Sequence, residues 1–104
     1  MTVAKKKKKL LPFDSSTFLD SQETVEAYLV EALASNDPAF IAHAIGQVAK
    51  AKGMTKIARK TGLGRESLYK ALSGEHKPEF ATILLVLEAL GYSLQIKPVS
   101  RNAA

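Results

Sequence analysis

A short run of cationic, hydroxyl and aromatic side chains follows a glycine-bearing turn in the second half of the chain. The guanidinium of Arg65 can make paired hydrogen bonds to the edge of a guanine, and hydroxyl or ammonium groups can hold backbone phosphates. A helix over this run places Leu68 and Leu72 on one face and leaves the polar side chains on the other. The run therefore predicts a surface that binds nucleic acid.

The predicted contact residues belong to two neighbouring helices. Side chains at the start of the first helix would meet phosphates together with its N-terminal amides, and those of the second would reach bases and phosphates. Glu66 could accept from a cytosine amino group or could orient Arg65. Duplex DNA is favoured over RNA because only Tyr69 could serve as a stacking platform. The predicted set is Thr55, Lys56, Gly64, Arg65, Glu66, Ser67, Tyr69, Lys70 and Ser73.

No arrangement of residues in the sequence indicates catalysis. His43 and His76 have no spacing typical of metal ligands or of a catalytic triad. The Gly62-Leu63-Gly64 sequence does not continue into a phosphate-binding loop and follows no predicted strand. The chain has no cysteine, which rules out thiol nucleophiles and cysteine-ligated zinc. We therefore predict a protein that is not an enzyme and needs no cofactor.

Residues 54–74 have the pattern of a helix-turn-helix. We predict one helix over 55–61 and a second over 65–72, with Gly62 supplying the positive φ that a tight turn needs. Leu63 would insert between the two helices as a wedge. A purely structural corner of two helices uses the same devices, so the outward polar face of the second helix carries the DNA-binding interpretation.

Three further helices are predicted around this unit. The first begins at an Asp20 cap and ends near residue 34, and the second covers 38–52 with Asp37 as its cap. The last covers 79–90 and has an apolar surface wider than one stripe, which indicates a central helix or a dimer interface. The sequence thus predicts one mainly all-α domain of five helices over residues 13–98.

Residues 92–98 alternate between apolar and polar side chains, which is typical of a strand. No other part of the chain alternates convincingly, so the natural partner is the same strand, 92–97, of a second copy. This predicts a homodimer with a two-stranded antiparallel pair. The alternative is an extended segment that lies on its own domain, followed by a tail over 99–104.

Charge is distributed unevenly along the chain. The lysine run 5–9 carries five positive charges, which equals the net charge of +5, so the charges of all other residues sum to zero. Six acidic and no basic residues occupy 14–37, whereas 50–77 holds eight basic and two acidic residues. The cationic half suits a phosphate backbone, and the anionic half suits a basic protein partner or only aids solubility. Residues 1–12 are predicted to be a disordered basic arm that wraps DNA or is simply solvated.

The sequence predicts a cytoplasmic protein without a membrane segment. Its longest apolar run, residues 83–87, is far too short to span a bilayer. The lysine run is not followed by an apolar segment, so no secretory signal is predicted. A chain without cysteine fits a reducing compartment.

Residues 54–74 resemble the helix-turn-helix of the Cro/repressor (XRE-type) superfamily, through the Gly62-Leu63-Gly64 turn and the segment that ends in Leu72-Ser73-Gly74. Over about residues 12–97 the chain also resembles the bacterial addiction-module antidote family. That wider resemblance rests on Phe13-Asp14, Tyr28-Leu29, Glu31-Ala32-Leu33, Asp37-Pro38-Ala39-Phe40, Ile57-Ala58, residues 64–72 and Leu87-Glu88-Ala89-Leu90-Gly91.

The resemblance implies an antitoxin of a type II toxin–antitoxin module that binds a RelE/ParE-type toxin and represses its own operon. Gly64 departs from the family pattern, because many relatives have a serine or threonine cap there. The acidic segment 14–37 is the candidate toxin-binding surface, since toxins that cleave RNA on ribosomes tend to be basic; alternatively its helix is only a scaffold. The other functions considered are a phage-type repressor without a toxin and a protein-interaction module.

Overall fold

The computed structural model describes residues 20–75 and 77–99. Within them the chain forms five helices, as the sequence predicts: α1 (Gln22–Ala34), α2 (Pro38–Lys52), α3 (Met54–Thr61), α4 (Arg65–Ala71) and α5 (Phe80–Leu90). The predictions for the basic arm 1–12, for the lead-in 13–19 and for His76 fall outside the described residues, as does most of the tail 99–104. The mainly helical fold class is confirmed.

Local capping determines where α1 and α2 begin. Asp37 accepts hydrogen bonds at Oδ1 from the amides of Ala39 (3.1 Å) and Phe40 (3.4 Å), which confirms it as the cap of α2. The predicted Asp20 cap of α1 is wrong. Ser21 is the cap instead, because its backbone is extended and its Oγ accepts from the Thr24 amide at 3.1 Å.

Helix α2 lies at the centre of the fold and packs against each of the other four helices. Ile45 and Val48 on this helix are fully buried. Gly46 is buried as well, at the point where α2 meets the end of α4. Phe40 is 37% exposed because it lies in the first turn of α2, at the margin of the core. The burial of α2 fixes the position of the α3–α4 pair relative to the rest of the chain.

Helix α5 packs against α2 and α3 through one face. Ile83, Val86, Leu87 and Leu90 on that face are buried. The outer side of α5 exposes three large apolar side chains, Phe80, Leu84 and Leu85, and the carboxylate of Glu88 lies one turn beyond Leu84. Helix α5 is therefore central to the core, and its wide apolar surface is only partly used within one chain.

Several helix ends differ by one residue from the predictions. Helix α3 begins at Met54 rather than at Thr55, because the buried Met54 side chain is drawn into the core immediately after Gly53. Helix α4 ends at Ala71 rather than at Leu72, whose backbone leaves helical geometry although its side chain is buried. Helix α5 starts at Phe80, since Glu79 is its extended cap residue.

The predicted strand over 92–97 is not confirmed. Of the described residues, none forms a strand, and 92–99 follow α5 as irregular backbone. Ile96 in this segment is fully exposed. Because the strand was predicted to pair with a second copy, a single chain offers no backbone partner for it, and the pairing stays a prediction. None of the helices described within 20–75 and 77–99 has the length and apolar character needed to cross a bilayer.

Candidate nucleic-acid interface

The turn between α3 and α4 has the geometry that its glycine predicts. Gly62 adopts a left-handed conformation with φ 79°, and its amide donates to the Ala58 carbonyl at 3.0 Å. Thr61 adds a contribution that the sequence analysis missed. Its hydroxyl donates to the Ile57 carbonyl (2.9 Å) and accepts from the Leu63 amide (3.2 Å). The turn is thus held from both sides, and it fixes the direction in which α4 leaves it.

Helix α4 is divided sharply between a buried and an exposed side. Leu68 is 0% exposed and the adjoining Leu72 is 3% exposed, while Ala71 is half-buried. All of the predicted contact residues on and beside α4 are exposed: Gly64, Arg65, Glu66, Ser67, Tyr69, Lys70 and Ser73. The sequence prediction of which side chains face outward is therefore correct for this helix.

The beginning of α3 contributes two more exposed candidates, Thr55 and Lys56. Gly53 precedes the helix and provides no side-chain cap. Gly64 likewise caps α4 without a side-chain hydrogen bond. The N-terminal amides of both helices thus receive no hydrogen bond from the side chain of their cap residue. Backbone amides at a helix start are suited to an anion such as phosphate.

The guanidinium of Arg65 stacks on Tyr69. The Arg65 Cζ atom lies 5.5 Å from the centroid of the Tyr69 ring, within the range of a cation–π contact. The two residues are four positions apart on α4 and therefore share one face. This spacing could have revealed the pair from the sequence. The ring limits the directions in which the Arg65 side chain points.

Ser73 is positioned differently from the other candidates. Its Oγ donates to the Lys70 carbonyl at 3.0 Å and accepts from the Glu75 amide at 3.1 Å. Its hydroxyl hydrogen is therefore already bonded to a carbonyl of the last turn of α4. In this structure the side chain of Ser73 shapes the turn after the helix.

A polar groove with a volume of about 210 Å³ lies between α2 and α4. His43, Gln47 and Lys50 line its α2 side, and Tyr69 and Ser73 line its α4 side. The Gln47 side-chain oxygen is buried and receives no hydrogen bond within the described chain. The sequence analysis missed the groove because its two sides are more than fifteen residues apart in the chain. Tyr69 and Ser73 were predicted as DNA contacts, but the sequence did not place them beside the half-buried His43.

The charge separation seen in the sequence persists on the folded surface. In 50–75, seven basic and two acidic residues are all exposed; they are Lys50, Lys52, Lys56, Arg59, Lys60, Arg65, Lys70, Glu66 and Glu75. In 20–37, five acidic residues are exposed and no basic residue occurs; they are Asp20, Glu23, Glu26, Glu31 and Asp37. The α3–α4 unit is cationic, and the surface of α1 is anionic.

A second groove, of about 280 Å³ and largely apolar, lies beside the anionic helix α1. It is lined by α1 residues that include Glu26 and Val30 and by the segment that begins at Tyr92. Burial raises the pKa of the Tyr92 phenol above its ordinary value of 10.0, and the negative charge of Glu26 raises this pKa further.

No group of three or more acidic or histidine side chains in the described part of the chain could hold a metal ion.

Comparison with known proteins assigns the chain to a family. Residues 9–98 match the profile of a family described as probable addiction module antidote proteins. An uncharacterised protein of Haemophilus influenzae (strain Rd) is 42% identical over 88 residues, which cover 85% of this chain and 91% of that relative. No solved structure matches the chain. With nearly its whole length matched, the chain belongs to the family of probable addiction module antidote proteins.

Proposed function

We propose that this protein is an antitoxin of a type II toxin–antitoxin module that binds its own operator as a sequence-specific repressor. The observation that carries the DNA-binding part is the division of α4. Leu68 and Leu72 anchor the helix in the core, and the opposite side presents Arg65, Tyr69 and Lys70 to solvent. A short helix fixed in this way after a tight turn can enter the major groove of DNA. This supports a Cro/repressor-like helix-turn-helix.

The charges around α4 favour binding to DNA over a neutral interaction surface. Seven exposed basic residues in 50–75 give this part of the surface a positive field that would attract the phosphate backbone, and those of them that contact phosphates would release its counterions. Arg65 is the candidate for reading a base, because its forked guanidinium matches the major-groove edge of guanine. Thr55 and Lys56 would contact phosphates at the start of α3. Phosphate contacts would position α4, and Arg65 would supply the sequence preference.

A homodimer fits this function because a two-fold pair of α4 helices reads a palindromic operator, with half-sites about one helical turn apart. The exposed outer side of α5, with Phe80, Leu84 and Leu85, supports such an interface. The run 80–87 carries no charge, so a contact centred on it would place Glu88, the one charged residue of α5, at the edge of the interface. Pairing of 92–97 between the copies would then provide hydrogen-bond partners for the irregular segment.

The toxin partner is inferred from the family, whose description is that of an antidote. A RelE/ParE-type toxin is proposed, and the anionic surface of α1 is its proposed docking side. Five exposed carboxylates with no neighbouring lysine or arginine in 20–37 would attract a basic protein. The cationic α3–α4 unit stays available for DNA, so one molecule could hold both partners. A phage-type repressor without a toxin remains the alternative function.

A mobility-shift assay on the region upstream of the gene tests the DNA-binding part. The wild-type chain should bind this duplex in preference to a random duplex of the same length. Arg65→Ala should weaken specific binding by about 1–3 kcal/mol and reduce the preference. Lys70→Ala should weaken binding to both duplexes, whereas the matched control Lys97→Ala, outside α3 and α4, should change neither. Equal binding of the wild type to both duplexes would contradict the repressor function.

Co-expression tests the antitoxin part. If a reading frame beside the gene encodes a small basic protein, the two products should copurify, and this chain should relieve the growth arrest that the other product causes. Charge reversal on α1, as in Glu23→Lys with Glu31→Lys, should weaken the complex while leaving DNA binding intact. A neighbour that is neither toxic nor bound would favour the lone repressor.

A further inference from the structure

The groove between α2 and α4 has the chemistry of a site for a single anion. His43 and Lys50 on α2 face Tyr69 on α4 and Ser73 just after it, across a space of about 210 Å³. The titratable groups that line it from the two helices are His43, Lys50 and Tyr69, and no carboxylate lines it. Ammonium, imidazole and phenol groups can all donate hydrogen bonds to one acceptor-rich ligand, and the Gln47 amide, whose buried oxygen has no donor among the described residues, can turn its NH2 group toward the same ligand. A phosphate oxygen satisfies that requirement.

The groove is continuous with the predicted DNA-binding face. Tyr69 belongs to both, because one part of it lines the groove while Arg65 stacks over its ring. A duplex that receives α4 in its major groove brings a phosphate backbone along each side of that helix. The backbone strand on the side of α2 would pass the mouth of the groove. The anion that this position selects is therefore a DNA phosphate rather than a free metabolite.

We propose that the groove binds one phosphate of the DNA backbone, through the Lys50 ammonium and the His43 imidazole, and so adds α2 to the DNA interface. This inference rests on the proposed DNA-binding function. Tyr69 links the phosphate site to the base-reading side chain, since the phosphate contacts its phenol and Arg65 lies on its ring. The phosphate contact thus positions Arg65, and neither His43 nor Lys50 reads a base.

The exposed Lys50 is tested first, against a matched residue on the same helix. Lys52 is also exposed, but it lies about 200° further around α2 and does not line the groove. The probe is a fluorescein-labelled random-sequence duplex, and its affinity is measured by anisotropy over a series of salt concentrations. Lys50→Ala should lower the affinity about tenfold and reduce the slope of log affinity against log salt by about 1. Lys52→Ala should leave the slope within about 0.3 of the wild type.

His43 is tested together with Lys50, because side chains that hold one phosphate should not act independently. His43→Ala should lower the affinity for the duplex about 3- to 10-fold, since it removes one hydrogen-bond donor to the phosphate. In the His43→Ala/Lys50→Ala protein the loss of affinity should be smaller than the two single losses combined. A purely structural role of His43 would leave the salt slope of His43→Ala at the wild-type value and would give independent losses.

The outcomes separate the groove from the DNA-binding function. If the wild type binds the duplex but Lys50→Ala and Lys52→Ala have the same salt slope, the phosphate site is refuted and the DNA-binding function stands. Losses of affinity that are independent in the His43→Ala/Lys50→Ala protein likewise refute the role of His43. If the wild type binds neither the random duplex nor the upstream region, the DNA-binding function fails and the groove proposal fails with it.

Discussion

Replacing Gly46 by alanine tests the packing that holds α4 in position. A Cβ atom at this residue would lie 2.8 Å from the Leu72 carbonyl oxygen and 3.0 Å from the Leu72 Cβ. Both atoms belong to the main chain or are joined directly to it, so no side-chain rotation relieves the contact. The end of α4 would have to move away from α2. Gly46→Ala therefore changes the position of the candidate DNA-binding helix without altering any residue on its exposed side.

Two opposing terms determine the size of the effect. In an ordinary helix interior, Gly→Ala stabilises by about 1 kcal/mol because alanine loses less backbone freedom on folding. Inserting a methyl group into a packed core costs about 1–3 kcal/mol. The net expectation for Gly46→Ala is a loss of about 1 kcal/mol in the free energy of unfolding. For a domain of this size that loss lowers Tm by about 4–8 °C.

Thermal unfolding followed by circular dichroism measures this change. Gly64→Ala is the matched control, because φ at Gly64 is −69° and an added Cβ would make only an ordinary 3.8 Å contact with the Ser67 Oγ. Its stability should stay within about 0.5 kcal/mol of the wild type. Below its Tm, Gly46→Ala should also bind DNA more weakly than the wild type, although no predicted contact residue has been changed. A Gly46→Ala protein with a raised Tm would refute the close contact between α2 and Leu72.

Three further substitutions test separate parts of the fold. Leu68→Ala should lower the free energy of unfolding, measured in urea, by about 2–5 kcal/mol because it empties a fully buried site. Ser21→Ala should cost about 1 kcal/mol through loss of the α1 cap, whereas Asp20→Ala should have little effect in the same assay. Glu26→Gln should lower the pKa of Tyr92, followed by ultraviolet absorbance at high pH, because one of the two causes of its elevation is removed.

The raised pKa of Tyr92 also predicts how stability depends on pH. The folded chain keeps this phenol protonated to a higher pH than the unfolded chain does. Its contribution to stability is therefore complete below the ordinary pKa of 10.0 and is lost as the pH rises through the raised value. Glu26→Gln should weaken this loss in alkaline denaturation. An unchanged alkaline profile would contradict an electrostatic contact between Glu26 and Tyr92.

Helix positions were predictable wherever local chemistry marks an end. The predicted bounds of helix α2 match the observed ones, because Asp37-Pro38 and Gly53 act on the backbone directly beside them. The start of α1 was predicted one residue too early, since Asp20 and Ser21 are both good caps and the pattern does not choose between them. Met54 joined α3 because core burial extended the helix beyond its expected first residue. Such one-residue errors arise where two neighbouring residues are equally suited to begin a helix and the packing of the core determines which one does.

The candidate site was predictable only in part, for a similar reason. The exposed side of α4 follows from the spacing of Leu68 and Leu72, which is a property of one helix. The Arg65–Tyr69 contact also lies within that helix, and its four-residue spacing was available in the sequence. The groove was not available, because it requires knowing that Lys50 on α2 lies opposite Tyr69 on α4. Periodicity within a helix contains no information about which turn of another helix it meets.

The sequence by itself determined the five helices, the polar side of α4 and the separation of charge between α1 and the α3–α4 unit, because each depends on residues that are near one another in the chain. Tertiary structure decided which residues stand across the α2–α4 groove, how closely Leu72 approaches Gly46, and that α5 keeps an apolar outer side. These features depend on the angles at which helices pack, and close packing around α2 sets those angles. The polar run from Arg65 to Ser73 could be predicted from the sequence as a candidate DNA-binding surface; the residues of α2 that lie beside it are known only from the fold.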